Sequence, residues 1–292
     1  MRPRTRHGGL WKHVVTVCLL LLVGLALTVP LGNDTAQAQE STLDAVKKRG
    51  VLRAGIRFDN PPHSHIDDRG RWVGFDVDIA EALAEELGVK LEKVRVDQLT
   101  RISYLKTGQI DVAVASMSHT IKRDMEIDFS QTYFWSIQTF LVKKGKVNAL
   151  ADLVGKRVGM DRGSHASGNW RDWLTSRTHP FDPSLIVEFG DKQAALGALR
   201  QEAIAGYAQD YEILASFAKK DPSLQVLEDG IGMKQDGIGV RENDSKMLDA
   251  INFALQRIAK SGRYDAMYNR WFGPDSDTPV PLQGRVEIWP EG

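Results

Sequence analysis

Two apolar periodicities alternate along the chain, and this alternation limits the folds that it can adopt. Residues 51–56 and 89–96 read as strands, and residues 110–115 form a third apolar run. From Asp76, apolar residues recur every three or four positions, which is typical of an amphipathic helix, and Gly88 ends that pattern. Strands and helices that alternate with short links predict a parallel sheet, with ligands at the carboxyl ends of its strands.

The alternation restarts after a basic segment at residues 143–146 and continues to about residue 227. Residues 237–240 then read as a strand that returns to the first half of the chain. We therefore predict an α/β protein with two lobes joined by two crossings. The first lobe comprises residues 39–143 and 237–292, and the second comprises residues 144–236. Such an arrangement predicts a hinged clamshell.

The first 38 residues have the pattern of a secretory signal. A basic segment precedes an apolar run at residues 14–29, and the small residues Ala36 and Ala38 follow. We expect cleavage after Ala38, with an uncleaved anchor as the alternative. Cys18, the only cysteine, lies inside the apolar run, so the mature chain has no disulfide and no cysteine metal site.

The charge balance argues against a polyanionic partner. The leader holds four of the 38 basic residues and one of the 38 acidic residues, which leaves the mature chain with a net charge of −3. Neither nucleic acid nor an anionic surface is therefore an expected partner. A cationic binding site would have to be local.

Such a local site is predicted where the third strand ends. Ser116 and Ser118 follow the strand, and Lys122 and Arg123 come shortly after. Hydroxyl groups, backbone N–H groups at a helix start and a guanidinium together form a socket for a carboxylate. The alternative is an ordinary strand–turn–helix connection with a surface arginine.

Several motifs then carry a family resemblance that runs from about residue 43 to residue 272. In this order and spacing, the chain resembles the extracellular solute-binding proteins, family 3, of amino-acid ABC transporters, closest to the glutamate/aspartate-binding branch. The motifs are Leu52-Arg53-Ala54-Gly55, Pro61-Pro62, Gly74-Phe75-Asp76-Val77-Asp78-Ile79-Ala80, Gly108-Gln109-Ile110-Asp111, Thr120-Ile121-Lys122-Arg123, Asp128-Phe129-Ser130 and Leu153-Val154-Gly155-Lys156-Arg157-Val158-Gly159.

The resemblance implies the two-lobed periplasmic-binding fold (type II) and a periplasmic protein that hands an amino acid to membrane permease subunits. It also implies a monomer without cofactor, metal ion or enzymatic activity. The implied ligand is a small acidic amino acid, glutamate or aspartate, because Arg57 stands where relatives for cationic or amide ligands commonly offer an acidic residue. Arg101 matches a second arginine of the acidic branch.

Each candidate site residue takes its role from this resemblance. Ser116, Ser118 and Arg123 would hold the α-carboxylate, with Ser164 reaching across from the second lobe. Asp210 would take the α-ammonium, and Arg57 and Arg101 would face the side-chain carboxylate. Lys192 stands where the branch has a histidine. The structural alternatives are a surface ion pair for Arg57, a helix-packing role for Arg101 and an N-cap role for Asp210.

Other chemistries remain as competing hypotheses. His63 and His65 have the spacing of a metal pair but have no cysteine nearby in sequence. Ser164 and His165 adjoin without the glycines of a nucleophile elbow. The same fold also resembles that of periplasmic cyclohexadienyl dehydratases, and a detached sensory module is a third possibility. Beyond Asp210, we expect no spare carboxylate in the cleft for acid–base work.

Overall fold

A computed structural model describes residues 40–280 and 286–290. The predicted signal peptide, its cleavage site and Cys18 lie outside these described residues. Within residues 40–280 and 286–290, no helix combines the length and the apolar character needed to cross a bilayer.

Nine α-helices and fourteen strands are found in the described part of the chain. The helices are α1 (Thr42–Arg49), α2 (Phe75–Glu86), α3 (Arg101–Lys106), α4 (Ile121–Asp124), α5 (Ala166–Thr175), α6 (Lys192–Arg200), α7 (Tyr211–Lys220), α8 (Ser245–Lys260) and α9 (Arg263–Phe272). The strands are β1 (Val51–Ile56), β2 (Asp59–Asn60), β3 (Ser64–Ile66), β4 (Trp72–Val73), β5 (Lys90–Arg95), β6 (Val112–Ala113), β7 (Asp128–Phe129), β8 (Phe134–Lys143), β9 (Val158–Asp161), β10 (Ile186–Phe189), β11 (Gly206–Asp210), β12 (Leu224–Val226), β13 (Gly232–Asp236) and β14 (Gly239–Val240).

The first lobe is built on a five-stranded sheet with the order β5-β1-β6-β14-β7. Strand β1 pairs in parallel with both β5 and β6, as the sequence predicts. Strand β14 pairs antiparallel with β6 and β7, so the predicted return strand does join this sheet. Helices α2, α8 and α9 pack against one another, and their apolar faces form the main core of this lobe.

The second lobe contains β8 to β13 in one six-stranded sheet. Strands β10, β9 and β11 are parallel, and β11, β12 and β13 each pair antiparallel with β8. By its hydrogen bonds, β8 therefore belongs to the second sheet, although we placed residues up to 143 in the first lobe. The crossing lies within the ten-residue strand β8, because Phe134 at its start packs in the core of the first lobe, whereas Phe140 packs in the core of the second.

Helix α2 begins next to the loop that follows β2, at a position where only glycine fits. Gly74 caps α2 with a φ of 137°, which is strained for any residue with a side chain. A Cβ at this position would lie 2.2 Å from the carbonyl oxygen of His63. The close approach places His63 beside the amino-terminal end of α2, where Asp76 lies.

His63 forms a buried ionic link between the two lobes. Its Nε2 lies 2.7 Å from Glu212 Oε1 on α7, and its Nδ1 lies 3.5 Å from Asp76 Oδ1 on α2. Tyr133 donates a 2.8 Å hydrogen bond to Asp76, and Ser136 donates to Glu212. Burial alone lowers the pKa of His63, but Asp76 and Glu212 outweigh it and raise this pKa to about 10. The imidazole is therefore charged at neutral pH and is not available as a metal ligand.

We predict that His63→Gln lowers the free energy of unfolding by about 3–5 kcal/mol at pH 6, because two buried carboxylates lose their cation. A raised pKa stabilises the fold fully below the ordinary histidine value of 6.5, and this contribution disappears as pH rises through about 10. Urea unfolding of wild type and variant should thus give a difference that shrinks between pH 6.5 and 10.

The matched control is His119→Gln, because His119 is exposed and pairs with Asp124 at the surface. Its effect should stay within about 0.5 kcal/mol at every pH. A pH-independent loss in His63→Gln would show that packing rather than charge makes the link.

Candidate ligand-binding site

A polar cavity lies between the two lobes. Seven of the eight predicted site residues line it, and Lys192 is the exception. The lining residues are Arg57, Gln98, Arg101, Ser116, Ser118, Arg123, Gln138, Ser164, His165, Gln209, Asp210 and Lys234.

The wall in the first lobe is the turn that follows β6. Ser116 has a φ of 46°, in the left-handed region that few non-glycine residues adopt. Arg101 supports this turn, because its Nη1 donates to the carbonyl oxygens of Ala115 (2.7 Å) and Ser116 (3.2 Å). Burial, together with repulsion from Arg123 and Arg57, lowers the pKa of Arg101 well below its usual value. A bound anion would therefore favour the charged guanidinium.

Arg123 brings a second guanidinium to the cavity and joins the two lobes. Thr120 caps the short helix α4 that carries it. Its Nη1 donates to the carbonyl of Ser118 (2.9 Å), and its Nη2 donates to the carbonyl of Gly163 in the second lobe (3.3 Å). Among the described residues, no carboxylate forms an ion pair with Arg123. The guanidinium of Arg123 can therefore form an ion pair with a ligand carboxylate.

The opposite wall holds a buried carboxylate, Asp210, at the end of β11. It precedes α7, but its side chain does not cap that helix. Instead it accepts hydrogen bonds from Gln138 Nε2 (3.1 Å) and from Lys234 Nζ. Although burial opposes it, the interactions with Lys234 and Gln138 lower the pKa of Asp210, which keeps it ionised. The side chain of Asp210 therefore does not act as the N-cap of α7.

Sequence reasoning missed Lys234 and Asp236, the two charged residues of β13 that complete this cluster. Lys234 Nζ lies 2.8 Å from Asp236 Oδ2, and both side chains are almost completely buried. Their two-residue spacing on a strand places them on one face. The sequence offers no signal for this burial, because only the packing of the second lobe shows which face of β13 is covered.

Two of the predicted site residues, Arg57 and Lys192, pair with carboxylates of the protein. Asp59 accepts hydrogen bonds from Nε (3.1 Å) and Nη2 (3.2 Å) of Arg57, and Gln98 Oε1 accepts one from its Nη1 (3.0 Å). Lys192 does not line the central cavity. Its Nζ lies in an adjoining recess that Arg57 also lines, 3.5 Å from both Asp59 Oδ2 and Asp161 Oδ2.

His165 lies in the cavity as a neutral ring. Burial lowers the pKa of His165 to about 4, and only Asp210 opposes that shift among its main neighbours. Among the described residues no hydrogen bond joins the Ser164 hydroxyl to His165. The pair thus lacks the nucleophile–base contact that the hydrolase alternative requires.

Comparison with known proteins gives consistent relatives. A family model described as "Bacterial extracellular solute-binding proteins, family 3" matches residues 52–274. The L-cystine-binding protein TcyJ of Escherichia coli (strain K12) is 30% identical over 269 residues, which cover 90% of this chain and 97% of TcyJ.

Solved structures show the same two-lobed fold. An ancestral arginine-binding protein bound to glutamine has a TM-score of 0.68 at 34% identity, and the match covers 77% of this chain and 99% of that one. The ancestral amino acid-binding protein AncCDT-1, a precursor of cyclohexadienyl dehydratase, has a TM-score of 0.68 at 30% identity and covers 79% and 99%. The family model spans more than half of the chain, and the protein therefore belongs to family 3 of the bacterial extracellular solute-binding proteins.

Proposed function

We propose that this protein is the periplasmic amino-acid-binding component of an ABC importer and that its ligand is a small acidic amino acid, glutamate or aspartate. The observation that carries the proposal is the charge of the central cavity. Four cationic side chains line it, against a single carboxylate, that of Asp210. An amino acid with two carboxylates and one ammonium group matches that excess.

The excess persists when the carboxylates behind the cavity wall are included. Asp59 pairs with Arg57, and Asp236 pairs with Lys234, which leaves one positive charge uncompensated. Glutamate and aspartate carry a net charge of −1 at neutral pH, whereas glutamine and cystine carry none. Because an uncompensated buried charge is costly, a ligand that neutralises the cleft gains affinity.

The α-carboxylate subsite is proposed at Arg123, Ser116 and Ser118, with Ser164 facing it from the second lobe. Arg123 has no ion-pair partner among the described residues, and it already contacts both lobes. A carboxylate bound here would form charge-assisted hydrogen bonds worth about 1.5–3 kcal/mol each. The α-ammonium subsite is proposed at Asp210, whose carboxylate stays ionised.

The side-chain subsite is proposed at Arg57 and Arg101, with Lys192 next to it. Arg57 lines the cavity and is held in place by Asp59 and Gln98. Arg101 Nε is buried and has no hydrogen-bond partner in the part of the chain that the structure describes. Lys192 Nζ lies in the adjoining recess beyond Arg57, 3.5 Å from both Asp59 and Asp161.

A neutral polar amino acid is the second candidate ligand, and one observation favours it. Asp59 already compensates the charge of Arg57 through two hydrogen bonds. Relatives named for cystine binding and crystallised with glutamine show that this fold accommodates neutral ligands. Titration with both classes of amino acid separates the two candidates.

A relative named for amino-acid binding supports transport rather than catalysis. The enzymatic alternative is represented by a structural relative that is itself an amino acid-binding protein but a precursor of a dehydratase. The structure adds the carboxylate Asp236 close to the cleft, which sequence reasoning did not find. Asp236 is fully buried and engaged by Lys234, so it has no access to a substrate proton. Incubation with prephenate or arogenate would reveal an enzyme by product formation, and we expect none.

The proposed transport role uses contacts that cross the cleft. Arg123 and Gln98 of the first lobe both donate to the carbonyl of Gly163 in the second. A ligand held by residues of both lobes would stabilise the closed arrangement, which permease subunits could recognise. We also infer export to the periplasm through a cleavable signal and function as a monomer.

The first test is calorimetric titration with the twenty amino acids. We expect glutamate or aspartate to bind best, with a Kd of about 1 µM or lower, which corresponds to about −8 kcal/mol. Arg123→Met should weaken that ligand by about tenfold to a hundredfold, because the α-carboxylate loses its charge-assisted partner. A cationic amino acid as the best ligand would contradict the proposal.

The second test addresses the side-chain subsite. We expect Arg57→Met to weaken glutamate binding at least tenfold but to change glutamine binding by only a few fold, since glutamine has no side-chain charge. Arg71→Met is the matched control, because Arg71 is exposed and pairs with Asp67. Equal losses for glutamate and glutamine would place the side-chain carboxylate elsewhere.

A further inference from the structure

Lys234 presents an ammonium group that is fully engaged inside the protein. Its Nζ donates a 2.8 Å hydrogen bond to the hydroxyl of Ser116, donates to Asp210 Oδ2, and lies 2.8 Å from Asp236 Oδ2. An ammonium group has three N–H donors, and these three acceptors surround it.

Two of the three acceptors are residues that the proposed function assigns to the ligand. Asp210 is the proposed partner of the α-ammonium, and Ser116 belongs to the neighbouring α-carboxylate subsite. The lysine ammonium and an α-ammonium have the same charge and the same donor geometry. A ligand ammonium that binds Asp210 must consequently share that carboxylate with Lys234 or displace it.

We propose that Lys234 is a specificity-determining residue, an internal ammonium that competes with the ligand's amino group for Asp210. The inference rests on the proposed function of the cleft. It means that the amino group contributes less to affinity than a free Asp210 would allow. The protein should therefore discriminate only weakly between an amino acid and its deaminated analogue.

Asp236 provides the alternative position for the displaced lysine. Its Oδ2 already contacts Lys234, and its buried Oδ1 has no hydrogen-bond partner within residues 40–280 and 286–290. Lys234 can therefore leave Asp210 and still bind both oxygens of Asp236 without exposing its charge. Ser116 supports that position, because its hydroxyl lies 3.3 Å from Asp236 Oδ2. Removing Asp236 should trap Lys234 on Asp210.

The experiment compares L-glutamate with glutarate, which lacks the amino group, by calorimetric titration of the full mature chain. If another amino acid binds best, that amino acid and its deaminated analogue replace them. The double variant Lys234→Met/Asp236→Asn removes one positive and one negative charge together, so Asp210 remains without competition. We expect its preference for the amino acid over the analogue to rise at least tenfold, as one charge-assisted hydrogen bond allows.

The single variant Asp236→Asn should move the same ratio in the opposite direction, because Lys234 then depends on Asp210. Lys93→Met, a half-exposed lysine paired with Glu81 on the outer surface, is the control and should leave the ratio unchanged. A merely structural Lys234 predicts lower thermal stability in the variants with no change in the ratio, and that result would overturn the inference.

The outcome also separates this inference from the proposed function. Binding of an amino acid with an unmoved ratio refutes the role of Lys234 alone. A wild-type protein that binds glutarate but no amino acid refutes the proposed function and supports the inference, because Lys234 would then exclude the α-ammonium entirely. A protein that binds neither kind of ligand contradicts both.

Discussion

Buried positive charge between the two lobes is the constraint on which the rest of the structure depends. Arg101 and Arg123 have almost no access to water, and among the described residues neither has a carboxylate within ion-pair distance. Backbone carbonyl groups solvate them in part, at the turn that contains Ser116 and Ser118 and at Gly163. Such an environment lowers the pKa of both guanidinium groups, and a bound anion would reverse that penalty.

Buried charged groups also connect the cleft to the strands that cross between the lobes. Strands β8 and β13 pair along five residues, and they carry Gln138 and Lys234, both of which contact Asp210. His63 and Glu212 form a second buried ionic contact across the lobes, and Glu212 is two positions from Asp210 in sequence. Movement of one lobe relative to the other therefore alters the partners of charged groups that have little water to replace them. The proposed ligand binding would be coupled to closure through these contacts.

Much of the architecture follows from local sequence signals. The apolar periodicities predict the parallel strands β1, β5 and β6, and the helix that begins near Asp76 is α2. Strand β8 could not be assigned to its sheet from sequence, since a strand long enough to cross between lobes has the same pattern in either one. The sheet to which β8 belongs is determined by pairing with strands that are distant in sequence. For this reason the predicted boundary at residue 143 follows β8, whereas the strand pairs in the second sheet.

The site shows a similar limit. Seven residues to which the family resemblance assigns a role line one cavity, whereas Lys192 lies beyond Arg57 in the adjoining recess. Their roles toward a ligand stay predictions. Lys234 and Asp236 were missed because charged residues on a short strand near the end of a lobe usually face solvent, and only the three-dimensional packing buries them together. The cleft is therefore lined by the ammonium group of Lys234 as well as by three guanidinium groups.

A crystal structure of the protein grown with L-glutamate would show directly which groups hold the two carboxylates. We expect the α-carboxylate within hydrogen-bond distance of Arg123 and Ser118, and the side-chain carboxylate within about 3 Å of the Arg57 guanidinium. A ligand whose side chain points away from Arg57, with that guanidinium still bonded only to Asp59 and Gln98, would contradict that expectation.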